Sequence, residues 1–168
     1  ILDTIEGFFP QRPELTFIEP YPDRLKSLLR EDDRSRVTLI NTKVQEASLD
    51  IFQSLQSGDF LFIDSSHVVK CGSDLQLLFF EILPNLQPGV FVHFHDVFYP
   101  FEYPSKWLIE GRYWNENYFL RAFLSWNTAW QIRFFNHYVH FMFGDLIKES
   151  MPLCTKNSGG SLYIQRVE

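Results

Sequence analysis

Apolar residues in this chain fall into short runs broken by proline, glycine and charged turns, and the runs alternate between two spacings. ILDTIEGFF, Ile1 to Phe9, has apolar positions at 1, 2, 5, 8 and 9, the repeat of an amphipathic helix, and Pro10 and Pro13 stop it. LTFIEP, Leu15 to Pro20, predicts a short strand ending in Glu19. Pro22 opens a helix through about Leu29, with Leu25, Leu28 and Leu29 on one face and proline tolerated in the first turn. RVTLIN, Arg36 to Asn41, is the next strand. A helix follows from about Ser48, whose hydroxyl suits an N-cap, to Leu55, and Gly58 closes the connection to DFLFID, Asp59 to Asp64.

After Asp64 comes a loop with Gly72, then a helix from about Ser73 to Ile82 that carries Leu75, Leu78, Phe79 and Ile82 on one stripe and ends at Pro84 and Pro88. PGVFVHFHD is a fourth strand finishing at His95 and Asp96. Strand and helix in regular alternation predict a parallel sheet with right-handed crossovers. The runs LFI and VFV, which lack alternation, predict strands covered on both faces. Beyond Asp96 the pattern loosens. VFYPFEYPSKW, with two prolines and many aromatics, predicts an ordered loop over the crevice, a candidate lid. Asn115 to Trp126 predicts a helix with Tyr118, Leu120, Phe123 and Leu124 apolar, and Trp130 to Asn136 a strand. HYVHFMFGD reads either as helix or as loop. Ser161 to Val167 is a final strand, so the two late strands fit a terminal antiparallel pair. No repeat, low-complexity tract or linker interrupts the chain, which predicts one domain over residues 1–168.

Composition narrows the function. With 45% hydrophobic and 21% charged residues the chain is an ordinary globular one and not a disordered one. A net charge of -6 and the absence of any basic run exclude a binder of phosphate backbones. No apolar run approaches the roughly 20 residues that span a bilayer, and no signal peptide opens the chain, so neither nucleic acid nor membrane is an expected partner. Cys71 and Cys154 lack metal-finger spacing and read as reduced thiols of a cytoplasmic protein, with a single disulfide as the second reading. An aromatic share of 17% concentrated beyond Asp96 leaves self-association open.

Chemistry concentrates between Asp59 and Asp96. In an open parallel sheet, ligands bind beyond the carboxyl ends of the strands, which places the active site at Asp64, Ser65, Ser66, His67, His93, His95 and Asp96. Glu19 closes a strand where a ribose diol can be held, or is a surface acid. Glu46, in VQEA, can accept from a purine amine, or is a solvated acid at a helix start. Asp64 ends an apolar strand and needs a partner to offset its desolvation. His67 can serve as a general base, or is a surface loop histidine. His93 and His95 point to one face of their strand. With Asp96, and facing Asp64, they form either a site for a divalent metal or a hydrogen-bonded polar cluster. His93, deeper in the strand, reads as a core histidine with its hydrogen bonds satisfied. His137 and His140 show no usable spacing, and no Walker, zincin or Gly-x-Ser-x-Gly motif is present.

Glu19, VQEA, FIDSSH and PGVFVHFHD in this order and spacing resemble the class I S-adenosylmethionine-dependent methyltransferases, closest to the small-molecule O-methyltransferase-like group. The resemblance covers Leu15 to Asp96 and implies a Rossmann-like, doubly wound, mostly parallel sheet with a C-terminal antiparallel strand. It implies S-adenosylmethionine as cofactor, with Glu19 on the ribose, Glu46 on the adenine amine, and Asp64 with Ser65 at the methionine end. It implies a small-molecule acceptor, most simply a hydroxyl, with His67, His95 and Asp96 as catalytic residues. In the catechol-type members a metal such as Mg is held at the positions of Asp64, His95 and Asp96, and a base stands at that of His67. Here His replaces both the usual Lys and one carboxylate. The family's glycine-rich loop has no counterpart, since Gly7 is the only glycine before Gly58. The expectation is therefore a chain that starts inside the following helix, lacks the first strand, leaves a gap in the sheet or forces the flanking strands together, and binds the cofactor weakly or not at all. Two other readings stand beside this one: a metal-dependent hydrolase or oxygenase-like enzyme using Asp64, His67, His95 and Asp96, and a non-catalytic interaction module built on the aromatic second half.

Overall fold

The computed structural model describes residues 2–10 and 13–168, so the predicted helical position of Ile1 lies outside the described residues. The chain groups into two compact units, Ile1–Ser48 and Leu49–Glu168. In the first, α1 (Leu2–Phe8), β1 (Leu15–Ile18), α2 (Asp23–Leu28), the single turn α3 (Glu31–Arg34) and β2 (Val37–Ile40) follow in order. The strands pair in parallel, Leu15 opposite Val37 through Ile18 opposite Ile40. Pro22 stands at the N-cap position of α2, and the chain turns extended at Leu29. Asp33 is a buried carboxylate, which is tolerable only with partners. Arg30 supplies one at 3.0 Å and Arg36 another at 3.4 Å, while Arg30 also reaches Asp3 and Glu6, each at 3.1 Å. This network ties α1 to the turn before β2 and holds the Asp33 carboxyl below its usual range, chiefly through Arg30.

The second unit contains α4 (Asp50–Gln53), β3 (Phe60–Ile63), α5 (Asp74–Leu77), β4 (Phe91–His95), α6 (Ser105–Ile109), α7 (Glu116–Leu124), β5 (Trp130–Phe135), α8 (Asn136–Ser150) and β6 (Ser161–Arg166). Its sheet runs β3-β4-β6-β5. β3 and β4 are parallel, and β6 is antiparallel to both β4 and β5, which delivers the expected antiparallel pair of late strands. α/β elements with mixed sheets fit a Rossmann-like fold. The strands form two sheets, β1 with β2 and β3 with β4, β6 and β5, so the early pair does not join β3, as a gap in the sheet would have it.

Several local expectations shift. α4 starts one residue later than a cap at Ser48 predicts, with Leu49 at its N-cap. The Ser73 hydroxyl does cap α5, accepting from the Gln76 N–H at 3.3 Å, and the helix continues as a π turn over Leu78–Ile82 and a 3-10 turn over Leu83–Asn85. The ambiguous HYVHFMFGD stretch is helical, with a kink at Phe143. Before β4, Gly89 adopts φ +93, and a Cβ there would overlap the Ser57 side chain, so only glycine lets the two turns approach. Cys71 and Cys154 are free and exposed. No helix among the described residues is long and apolar enough to cross a membrane.

The four-stranded sheet has two unlike faces. On one, Val92, Phe94, Leu162 and Ile164 are fully buried, and Phe94 stacks on Phe79 at 5.8 Å, which in turn meets Phe119 and Phe123 of α7. On the other, Phe60 stacks on Phe91 at 5.0 Å and Phe62 on His93 at 4.3 Å. Phe60 and Phe62 remain 59% and 51% exposed. The expectation that these strands are covered on both faces is thus corrected. An unbroken apolar run arises equally from two-sided burial and from an open face of cross-strand aromatic pairs.

Candidate active site

Because β3 and β4 are parallel neighbours, both release the chain at the same end, with Asp64 directly after β3 and Asp96 directly after β4. Asp96 and His67 take positive φ values of 56 and 58, a left-handed backbone that non-glycine residues adopt only where surrounding bonds hold them. At His67 those bonds come from the start of α7. The His67 carbonyl accepts the N–H groups of Asn115 and Glu116 at 3.1 and 3.3 Å, donors that a helix cannot satisfy within its own first turn. The Asn115 amide takes the Val69 N–H at 2.6 Å and donates to the Val69 carbonyl at 3.2 Å. The Ser65 hydroxyl accepts the His67 N–H at 2.9 Å and donates to Glu116 Oε2 at 3.0 Å.

This clamp fixes the imidazole of His67, which is 5% exposed. Its Nδ1 lies 2.7 Å from Glu116 Oε2. Its Nε2 faces Asp64 Oδ1 at 3.6 Å and Asp96 Oδ2 at 3.9 Å, too long for hydrogen bonds, so those carboxylates act through their charge. The ring stacks on Trp114 at 4.0 Å. Burial alone would lower the imidazole pKa, but the Glu116 hydrogen bond and the fields of Glu116, Asp96 and Asp64 outweigh it and hold His67 above its ordinary value. Burial pushes the Glu116 carboxyl up, opposed by the bonds from His67 and Ser65.

The remaining predicted residues divide. His95 Nε2 lies 3.8 Å from Asp96 Oδ1, at the same strand end. His93 is buried as predicted but not satisfied, since neither ring nitrogen has a hydrogen-bond partner. Burial, then His95, lower its pKa to about 4 against a weaker pull from Asp64. Ser66 turns away to Asp74, which takes its N–H at 2.7 Å and its hydroxyl at 2.6 Å. Glu19 and Glu46 belong to the first unit, after β1 and β2. Glu19 Oε1 accepts the Tyr21 N–H at 2.8 Å, and Glu46 Oε2 accepts the Thr42 hydroxyl at 2.6 Å.

A metal centre at Asp64, His95 and Asp96 is not borne out. Among the described residues no group of three or more His, Cys, Asp or Glu is placed to hold a metal. His67 takes the position between the two carboxylates that a cation would need, and His95 approaches only Asp96.

Reading the chain by strand tips alone misses Glu116, Asn115 and Trp114. One signal was available for Glu116: it stands on the stripe of Leu120, Phe123 and Leu124, at helical intervals, so an acid occupies the buried face of an amphipathic helix.

A family model described as a methyltransferase domain matches residues 6–97, more than half of the chain. The chain belongs to the methyltransferase domain family. Comparison with curated proteins and with solved structures finds no match. Within this methyltransferase domain the matched stretch takes in Glu19, Glu46, Asp64, His67, His95 and Asp96 and ends one residue later. Glu116, which holds His67 from α7, lies outside it.

Proposed function

We propose that this methyltransferase domain moves a methyl group from S-adenosylmethionine to a hydroxyl of a small molecule, with His67 as general base. The observation that carries the reading is the His67 ring, fixed at the carboxyl ends of two adjacent parallel strands with Nε2 toward Asp64 and Asp96.

Each unit by itself carries acceptors of the chemistry that one part of the cofactor needs. Glu19, steadied at the tip of β1 by the Tyr21 N–H, has the acceptor chemistry for a ribose diol, and Glu46 that for an adenine amine. Asp64 with Ser65 would take the ammonium of the methionine end. When bound, S-adenosylmethionine supplies a methyl group on a sulfonium. The protein's own part is to bind and orient the acceptor and to remove its proton at His67 Nε2. Asp64 and Asp96 stabilise the imidazolium that results, and His95 and Asp96 border the acceptor oxygen. Removal of that proton by a positioned base is worth about 10²–10⁴-fold.

Formation of S-adenosylhomocysteine is to be followed with panels of phenols, aliphatic alcohols and amines, beside calorimetric titration of S-adenosylmethionine. Turnover with hydroxyl acceptors that collapses in His67→Asn supports the reading. Asparagine is the chosen replacement because it tolerates the left-handed backbone at this position. Equal turnover in that variant refutes it, and micromolar binding in the calorimeter overturns the separate expectation that the chain binds the cofactor weakly or not at all.

A further inference from the structure

The carboxylate behind His67 has a role that the reading above does not assign. We propose that Glu116 is a positioning residue for His67, holding the imidazole as the tautomer that keeps its proton on Nδ1 and leaves the Nε2 lone pair for the acceptor. The proposal deepens the methyl-transfer reading and rests on it for the identity of the acceptor, while the geometry of the pair stands by itself.

Glu116 is 1% exposed, and a carboxylate so deep persists only with bonds that replace water. Oε2 receives two, from the Ser65 hydroxyl at 3.0 Å and from His67 Nδ1 at 2.7 Å, while Oε1 is buried with none, so the carboxylate is held through the one oxygen that faces His67. As the first residue of α7 it also sits where unpaired backbone N–H groups favour negative charge. Burial pushes the Glu116 carboxyl up, while the bonds from His67 and Ser65 favour its ionised form; as a carboxylate it only accepts, and in that state the hydrogen between it and His67 belongs to Nδ1 and Nε2 is the basic nitrogen. Rotation of the ring is opposed twice. The His67 carbonyl is bonded to the N–H groups of Asn115 and Glu116, the second of which also supplies the side-chain contact, and Trp114 covers one face of the ring. The charged groups facing the imidazole are Glu116 from α7, Asp64 from the end of β3 and Asp96 from the end of β4, with Asp74 acting on Glu116 and His95 beside Asp96.

The step balances as follows. The acceptor O–H proton passes to Nε2 and the oxygen forms a bond to the methyl carbon. The carbon–sulfur bond of the sulfonium breaks with its electron pair going to sulfur, which leaves a neutral thioether. The imidazolium, balanced by Glu116, Asp64 and Asp96, then returns its proton to solvent.

The test compares the parent chain with Glu116→Gln and Glu116→Asp by long-range nitrogen-edited NMR of the histidine rings across a pH series, together with pH–rate profiles of methyl transfer. A carboxamide keeps the size of the side chain and can offer its NH₂ to Nδ1, which favours the opposite tautomer. Expected are an Nδ1–H tautomer for neutral His67 in the parent, a switch toward Nε2–H and a lower pKa in Glu116→Gln, a fall in kcat of about 10²-fold or more at nearly unchanged KM, and recovery of the tautomer in Glu116→Asp. An Nε2–H tautomer in the parent overturns the proposal whether or not any variant folds, and so does an unchanged tautomer and pKa in Glu116→Gln. A switched tautomer in a chain that methylates nothing upholds the pairing and removes the methyl-transfer reading instead.

Discussion

His67 and His93 lie at equal depth in the second unit, 5% and 6% exposed, yet their proton chemistry is opposite. Burial disfavours the charged ring in both. At the strand tips the first turn of α7 delivers Glu116, and Asp64 and Asp96 converge, so His67 is held above its ordinary pKa. On the flat of the sheet His93 is packed between Phe62 and the edge of Tyr163 with no partner for either nitrogen, and it drops to about 4. The difference in proton affinity between the two rings is therefore made by what arrives from other elements and not by depth.

The largest effect expected from breaking this contrast is on activity. His67→Asn should lower kcat about 10²–10⁴-fold, while His93→Phe should leave turnover within about twofold, both measured as S-adenosylhomocysteine formation. The next is acid sensitivity. On unfolding, the His93 ring regains an ordinary value near 6.5, whereas folded it binds a proton only near pH 4, so its contribution is present above pH 6.5 and is lost as pH falls through that window. The unfolding free energy from denaturant titrations should fall between pH 7 and pH 4 by an amount on the order of 2–3 kcal/mol from this ring. His67 works the other way, because a raised folded value favours the native state below pH 6.5 and loses that contribution as pH climbs through it. Smaller still, His93→Phe should raise stability at pH 7 by about 1 kcal/mol, since the stack on Phe62 is kept and two unpartnered nitrogens are removed. The same variant should flatten the acid limb. Last, Trp114→Leu should cost about 0.5–1.5 kcal/mol through the lost ring contact with His67, read from thermal unfolding.

What was legible from the sequence was whatever lies along a single strand or its immediate exit. Alternating elements announced α/β architecture, and the ends of DFLFID and PGVFVHFHD placed Asp64, His67, His95 and Asp96 together, because adjacent parallel strands share an exit. Contacts formed at long range were not legible. Glu116 is 49 residues beyond His67, and its buried position depends on how α7 packs. Ser66, next to two site residues, is drawn off by Asp74. The open aromatic face escaped for a related reason, as LFI and VFV carry the same hydrophobicity whether or not a helix lies over them.

The aromatic segment between Asp96 and α7 is pinned at a few points. Val97 is fully buried, the Phe98 ring presses on Gly160 so closely that a Cβ there would clash, the Tyr103 hydroxyl accepts the Asn117 N–H at 3.2 Å, and Asn115 is bonded to Val69. A segment fastened like this is interchangeable between its rivets. Between Tyr103 and Trp114 the exchange has one condition, because Trp107 packs against Phe98, Tyr103 and Trp114 and Trp114 covers His67, so a grafted stretch must bring its own ring to that place.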